Sequence, residues 1–428
     1  MRTIGLLGAV SIGIGGMVGG GIFAVLGEAV SLAHGATAIA FFIAGIVALL
    51  TSYSYAKLSL QYQSEGGTVT FIDKAFGNNL LSGSINVMLW LSYLVTISLY
   101  STAFASYGGT FFDAPTSLIK HILISIAIIL PAIINIVSAS LVGKSETIIV
   151  ILKVSLLIFI IIVATPHIDT TRLSSTNYAP MLSIVTAGMI IFVAYEGFEL
   201  IANSAKDLKN PDKNLPLAFY ISVITVIILY ILISFVTVGN VDEASLVKAK
   251  DYALAIAAKP ALGETGFVLV SIAALLSTFS AINATMYGNA RLGYIIAKEG
   301  QLPKTLMLEK HDVPFMGVIL TTILSLIIAN TIDLNSIAII GSASFLLIFF
   351  LVNISAIKLS KIINAKRFIL YISSSFSFIA LVILLYHTYS SNPQSVIIFL
   401  SFIIISILFE AIYGQVYRKH LFSRKYHI

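Results

Sequence analysis

The chain contains no cysteine. That excludes disulfides, thiolate metal sites and a cysteine nucleophile. Charge is also scarce. Only 25 Lys and Arg and 19 Asp and Glu are spread over 428 residues, 10% of the chain, while 58% is hydrophobic and mean hydropathy is +1.00. A soluble protein carries about 25% charged residues, so a water-facing surface of normal size could not be covered. Disorder, coiled coil, collagen and a soluble multidomain enzyme are excluded together. Metal-ligand spacing is missing as well, because the 7 histidines are scattered and form no H-E-x-x-H. No separate signal peptide stands out, and the first apolar run can direct insertion itself.

Long apolar runs are abundant. A bilayer-crossing helix needs about 20 apolar residues, and twelve candidates cover 4–33, 36–60, 82–110, 118–139, 144–165, 180–206, 215–239, 265–297, 315–330, 335–358, 367–388 and 394–416. Gly67–Phe76 and Asp242–Lys259 mix apolar and charged residues at helical spacing and read as surface helices. With the N-terminus cytoplasmic, nineteen basic residues fall inside. Five fall outside (Lys120, Arg172, Lys248, Lys250 and Lys259), which leaves Lys153 within the membrane. This bias places both termini in the cytoplasm. The net charge of +6 is thus an orientation signal and calls for no nucleic acid.

Two spans are interrupted. Span 1 reads SIGIGGMVGGGIF, with Gly13, Gly15, Gly16, Gly19, Gly20 and Gly21 at mid-span. Each glycine lowers helix stability by about 1 kcal/mol relative to alanine. An unwound segment would offer bare N–H groups to an anion at the start of the second half-helix. Gly15 and Gly19 also fit close packing through small residues. Span 6 reads FVAYEGFELIANSA, where Glu196, Gly197 and Glu199 break an apolar run. A carboxylate at bilayer depth needs water or a partner. Alternatively the span ends near Tyr195, although Lys206, Lys209 and Pro211 mark a later stop. Gly20 and Gly197 lie 177 residues apart with five spans per register. An odd number of spans inverts the second set, giving the inverted repeat and midplane site of a secondary transporter.

Lys153 is the lone buried cation. It lies ten residues past Gly143 in span 5, about 15 Å along a helix and half the hydrocarbon thickness. Desolvation favours the neutral amine, so Lys153 could carry a proton. It could equally form an ion pair with Glu196 or Glu199.

The segments GGMVGGGIF, AYEGFE followed by KNPDKNLP, SETIIVILK in span 5 and SAINATMYGNARLGYIIAKEGQLP resemble the amino acid–polyamine–organocation (APC) superfamily over essentially the whole chain. They look most like its ApcT-type proton-coupled amino acid permeases. The resemblance implies an all-α polytopic LeuT-like fold with discontinuous helices 1 and 6. Its two inverted five-helix repeats would span 1–166 and 167–360, followed by two extra helices and a cytoplasmic tail over 361–428. It implies that Gly19, Gly20 and Gly21 bind a substrate carboxylate. Carbonyls near Met17 and Phe192–Tyr195 would hold the α-amino group. Lys153 would stand where sodium-coupled relatives bind sodium, bridging the Gly15 carbonyl to Ser277 or Ser280. Glu199 matches a glutamate common in the family. Glu196 is not uniform there, and its role stays open between substrate choice and proton relay. Tyr93, Phe198, Asn283, Ser342 and Phe345 would complete the pocket, unless the aromatics serve packing alone.

The expected function is import of neutral amino acids by proton symport, in a cell (inner) membrane, with the proton as coupling ion and no metal or cofactor. Exchange, or transport of cationic amino acids or polyamines, is the alternative. The expected partners are the substrate and the bilayer, with a monomer or a homodimer as the unit. An enzyme is disfavoured. Position 138 is Ser where a P-loop needs Gly, Val18 stands in the last place of G-x-G-x-x-G, and no G-x-S-x-G occurs. A channel or a sensor on the same fold would show no concentrative uptake.

Overall fold

The computed structural model describes residues 2–113, 116–137, 139–310 and 313–418, with the side chains of 139–146 and 418 left aside. Lys419, Arg424, Lys425 and the side chains of Lys144 and Arg418, counted above for orientation, lie outside the described residues, as do the side chains of the GKS run at 143–145.

Apolar runs become helices because a backbone in lipid must satisfy its own N–H and C=O groups. Span 1 divides into α1 (Leu6–Met17) and α2 (Gly21–Ala33), bent by 47°. Then follow α3 (Thr37–Gln61), α4 (Thr68–Phe76), α5 (Leu80–Gly109), α6 (Ser117–Val137) and α7 (Ala139–Ala164). Span 6 is α8 (Met181–Ile190), a 3₁₀ turn (Ile191–Tyr195) and α9 (Leu200–Asn203). The chain continues through α10 (Pro211–Asn240), α11 (Glu243–Lys248), α12 (Ala253–Ala257), α13 (Lys259–Lys298), α14 (Phe315–Thr331), α15 (Leu334–Lys358), α16 (Arg367–Ser391) and α17 (Pro393–Tyr413). Among the described residues, ten helices or helix runs are long and apolar enough to cross a membrane, and the bent pair makes an eleventh. The 17-residue α14 is at the lower limit for a twelfth.

Helix starts follow a local rule. Asn79, Asp242, Asp333 and Asn392 each cap a helix by accepting the N–H of a serine three residues on, at 3.1, 2.9, 3.0 and 3.3 Å. The Ser245 N–H holds the Asp242 carboxyl below the usual carboxylate range. The segment read as one surface helix over Asp242–Lys259 is instead divided. A 3₁₀ turn at Lys250–Tyr252 separates α11 from α12, and Lys250, still partly exposed, pairs with Glu28 on α2. Gly263, at φ 60°, kinks the start of α13.

The broken spans, α3, α5, α10, α13 and α15 form the interior. The apolar window of α5 is 83% buried, against 28% for α6 and for the α17 run, so α6 and α17 face the surroundings. α3 packs on α10, α5 on α13, α6 on α14, and α2 on α8 and its following turn. In span order these are 2 with 7, 3 with 8, 4 with 9 and 1 with 6.

Candidate binding site at the two helix breaks

The two interruptions meet. Gly197 has φ +120°, a conformation that side chains oppose. A Cβ on Gly16 would lie 2.8 Å from the Cα of Gly197, so both positions must lack one. A Cβ on Gly21 would lie 2.6 Å from the Cα of Ala194. The contact is therefore Gly16 with Gly197 and Gly21 with Ala194, a register that pairing Gly20 with Gly197 in sequence does not reveal. Of the two glycines read for close packing, Gly19 packs closely, since a Cβ there would lie 2.7 Å from the Ala281 Cβ. Gly19 and Gly20 also stand in the unwound stretch.

Breaking a helix at this depth frees carbonyls that need donors. Along span 1 they are found in order. Lys153 Nζ donates to the Gly15 carbonyl at 2.9 Å. The Tyr230 hydroxyl of α10 lies 2.7 Å from the Met17 carbonyl and 3.1 Å from that of Ala194, and so spans both breaks. Ser277 Oγ of α13 reaches the Gly19 carbonyl at 2.7 Å and that of Val18 at 3.2 Å. In span 6, Ser342 Oγ donates to the Ile190 carbonyl at 2.5 Å and accepts the Val193 N–H at 2.9 Å. The N–H groups are treated differently. Among the described residues, those of Gly19, Gly20 and Gly21 donate to no backbone carbonyl. They stand at the positive end of α2, the place for an anion.

The two carboxyls lie beside this break. Glu196 and Glu199 are 2% and 1% exposed, so span 6 does not end at Tyr195. The Tyr100 hydroxyl donates to Glu196 Oε2 at 3.2 Å. Tyr93 donates to Glu199 Oε1 at 2.9 Å, and the Gly197 N–H to Oε2 at 2.8 Å. Both phenols come from α5.

Not every candidate side chain faces this point. Ser277 bonds span 1 directly, at the Val18 and Gly19 carbonyls. Ser280 is half-buried and makes no hydrogen bond among the described residues. Asn283 turns away, because its amide oxygen accepts from Asn135 of α6 at 2.8 Å. Ser277 and Ala281, four apart, face the break, and two further residues rotate the side chain by about 200°. The Tyr195 hydroxyl donates to the Phe41 carbonyl of α3 at 2.8 Å. Phe192, Phe198 and Phe345 pack around Phe349, with centroids 5.9, 5.1 and 5.9 Å away. Tyr100 and Tyr230 escaped the sequence reading. The available signal was a phenol in an apolar run, which needs a partner when buried.

Both faces are tied over the site. On the side of the N-terminus, the N–H groups of Thr3 and Ile4 donate to the Asp207 carbonyl at 2.9 and 3.0 Å, and the Lys209 N–H to that of Ile4 at 2.8 Å. On the other, Glu28 pairs with Lys250, and His34 Nδ1 lies 2.6 Å from Glu243.

A paired helix break with open N–H groups in a polytopic membrane protein agrees with what sequence comparison finds. The family model described as "Amino acid permease" matches residues 4–413. The chain belongs to the amino acid permease family. This permease is 32% identical to an uncharacterised protein of Methanocaldococcus jannaschii over 99% of its own length and 98% of the relative's. It is 32% identical to the inner membrane transport protein YbaT of Escherichia coli, over 98% and 97%. It is 23% identical to the branched-chain amino acid permease BcaP of Bacillus subtilis, over 84% and 81%. The permease is thus a multi-pass membrane transporter and not an enzyme.

Proposed function

We propose that the permease imports neutral amino acids by proton symport with alternating access, with Lys153 as the proton carrier. The observation that carries this reading is the Lys153–Gly15 bond at 2.9 Å. Gly15 lies in the last turn of α1, where the helix dipole favours a cation, and an ammonium strengthens the bond to the carbonyl. Losing the proton removes the charge interaction and weakens the tie between α1 and α7. The substrate carboxylate sits on the N–H groups of Gly19, Gly20 and Gly21. Its ammonium competes with Tyr230 for the Met17 and Ala194 carbonyls. Glu196, beside the same break, favours a second reading, a cationic amino acid. Two inverted halves over 1–166 and 167–360, an inner-membrane location and cytoplasmic termini complete the proposal, the last on the charge bias.

The test is uptake of radiolabelled amino acids into proteoliposomes, with proton and sodium gradients imposed separately. Inward proton flow drives uptake and sodium has no effect. Lys153→Ala abolishes the proton-driven component while the protein stays monodisperse. Sodium dependence, or a normal pH response in Lys153→Ala, rejects the coupling. Counter-transport without net uptake would identify an exchanger.

A further inference from the structure

On the face opposite the N-terminus, a cavity of about 500 Å³ lies between the end of α5, the start of α6, the turn at Lys250–Tyr252 and the start of α13. That volume is in the range of small-molecule sites. Its walls carry both signs, with Asp113 and Asp251 facing the same space as Lys120 and Lys259, and the rings of Tyr252 and Phe267 supply apolar surface. Asp251 accepts from Ser106 Oγ at 3.3 Å. Lys259 is held by Glu264 at 2.6 Å and lies 4.5 Å over the Phe267 ring. Among the described residues, Asp113 and Lys120 make no ion pair. The N-terminus of the 21-residue α6 opens beside Lys120 and adds partial positive charge there. A simple anion would meet two carboxylates in this space, and a simple cation two ammonium groups. A molecule carrying one charge of each sign satisfies both.

The elements that wall the cavity rest on α2. The turn that supplies Asp251 and Tyr252 begins at Lys250. The Lys250 carbonyl rests against Gly27 so closely that no side chain fits there, and the Lys250 ammonium pairs with Glu28, which is 8% exposed. The end of α5 makes a second tie, from the Tyr107 hydroxyl to the Phe23 carbonyl at 3.4 Å.

We propose that this cavity is a second binding site, for a zwitterionic amino acid, which regulates the transport site through α2. An occupant bridging Asp251 to Lys120 holds the 250–252 turn against α2 and favours the closed outer face. The ligand class rests on the amino acid reading of the family. The site itself does not depend on proton coupling.

The permease has no native cysteine, so Ile256→Cys places a single reporter in the cavity wall. Labelling by a membrane-impermeant thiol reagent is measured with millimolar L-alanine, L-leucine, L-lysine or L-glutamate. At least one slows labelling five-fold or more. The protection persists when Gly20→Ala drives a methyl into the Tyr100 ring at the central site, and it is lost in Lys120→Gln/Asp251→Asn. No protection by any of the four, protection that disappears with Gly20→Ala, or protection that survives the double substitution each overturns the proposal. If Gly20→Ala does not fold, equilibrium dialysis of the protected amino acid decides: two sites per wild-type chain against one in the double variant supports the proposal, and equal numbers overturn it. Protection without proton-driven uptake would count against symport and leave this site standing.

Discussion

Tyr230 offers the sharpest test of how the two breaks are held together. Its hydroxyl lies between the Met17 carbonyl at 2.7 Å and the Ala194 carbonyl at 3.1 Å, and its side chain is 0% exposed. Tyr230→Phe keeps the ring and its edge-to-face packing on Phe41 and Tyr195, 5.6 and 5.2 Å away. Only the donor disappears. One hydroxyl proton is shared by two acceptors, so the loss is one buried hydrogen bond that leaves an acceptor unmet, about 1–3 kcal/mol. The bond exists only while the breaks face each other, and its loss therefore disfavours the closed arrangement alone. An equilibrium between closed and open forms shifts by roughly 5- to 150-fold. The assay uses the cysteine-free background. Ala281→Cys puts a thiol next to Gly19, where an alanine methyl already stands 2.7 Å from the position of a Gly19 Cβ. When opening is fast and labelling slow, the labelling rate follows the open population. Tyr230→Phe raises that rate by at least 5-fold over Ala281→Cys alone. A change under two-fold in a folded protein would refute the idea that this phenol latches the breaks.

Gly197→Ala combines a positive φ with a Cβ placed on the Gly16 backbone. Backbone cannot swing aside as a side chain can, so a loss of about 2–5 kcal/mol follows, read as a lower thermal midpoint or as failure to fold. Ser277→Ala removes the tie to the Gly19 carbonyl at 2.7 Å, worth about 0.5–1.5 kcal/mol net. Transport falls several-fold with the fold intact, and unchanged transport would show that the hydroxyl does not steady span 1. Asn283→Ala leaves the KM for uptake within two-fold, because its amide faces Asn135, while the thermal midpoint drops. A large KM change would return Asn283 to the substrate pocket.

The fold was legible because lipid imposes a one-dimensional constraint. Most spans are continuous apolar runs, and the structural helices follow those runs. The breaks were legible for the opposite reason, since three glycines in a row and two glutamates violate that constraint where nothing local compensates. Lys153 was conspicuous on the same ground. The divided segment after α10 was not legible, because its composition suits one amphipathic helix. A 3₁₀ turn at Lys250–Tyr252, whose lysine pairs with Glu28, separates α11 from α12.

By itself the sequence determined that this is a polytopic membrane protein and roughly where its spans lie, and it marked spans 1 and 6 as interrupted. It also singled out Lys153, Glu196 and Glu199 as charges with no loop to occupy. The tertiary structure alone decided the pairings: Gly16 with Gly197, Tyr230 with two carbonyls, Ser277 with Gly19, and Asn283 with Asn135. Hydropathy reports that a segment can lie in lipid, not which part of it the protein buries. Which donor meets which freed carbonyl depends on the rotation and axial register of one helix against another, and those are set by packing between residues hundreds of positions apart.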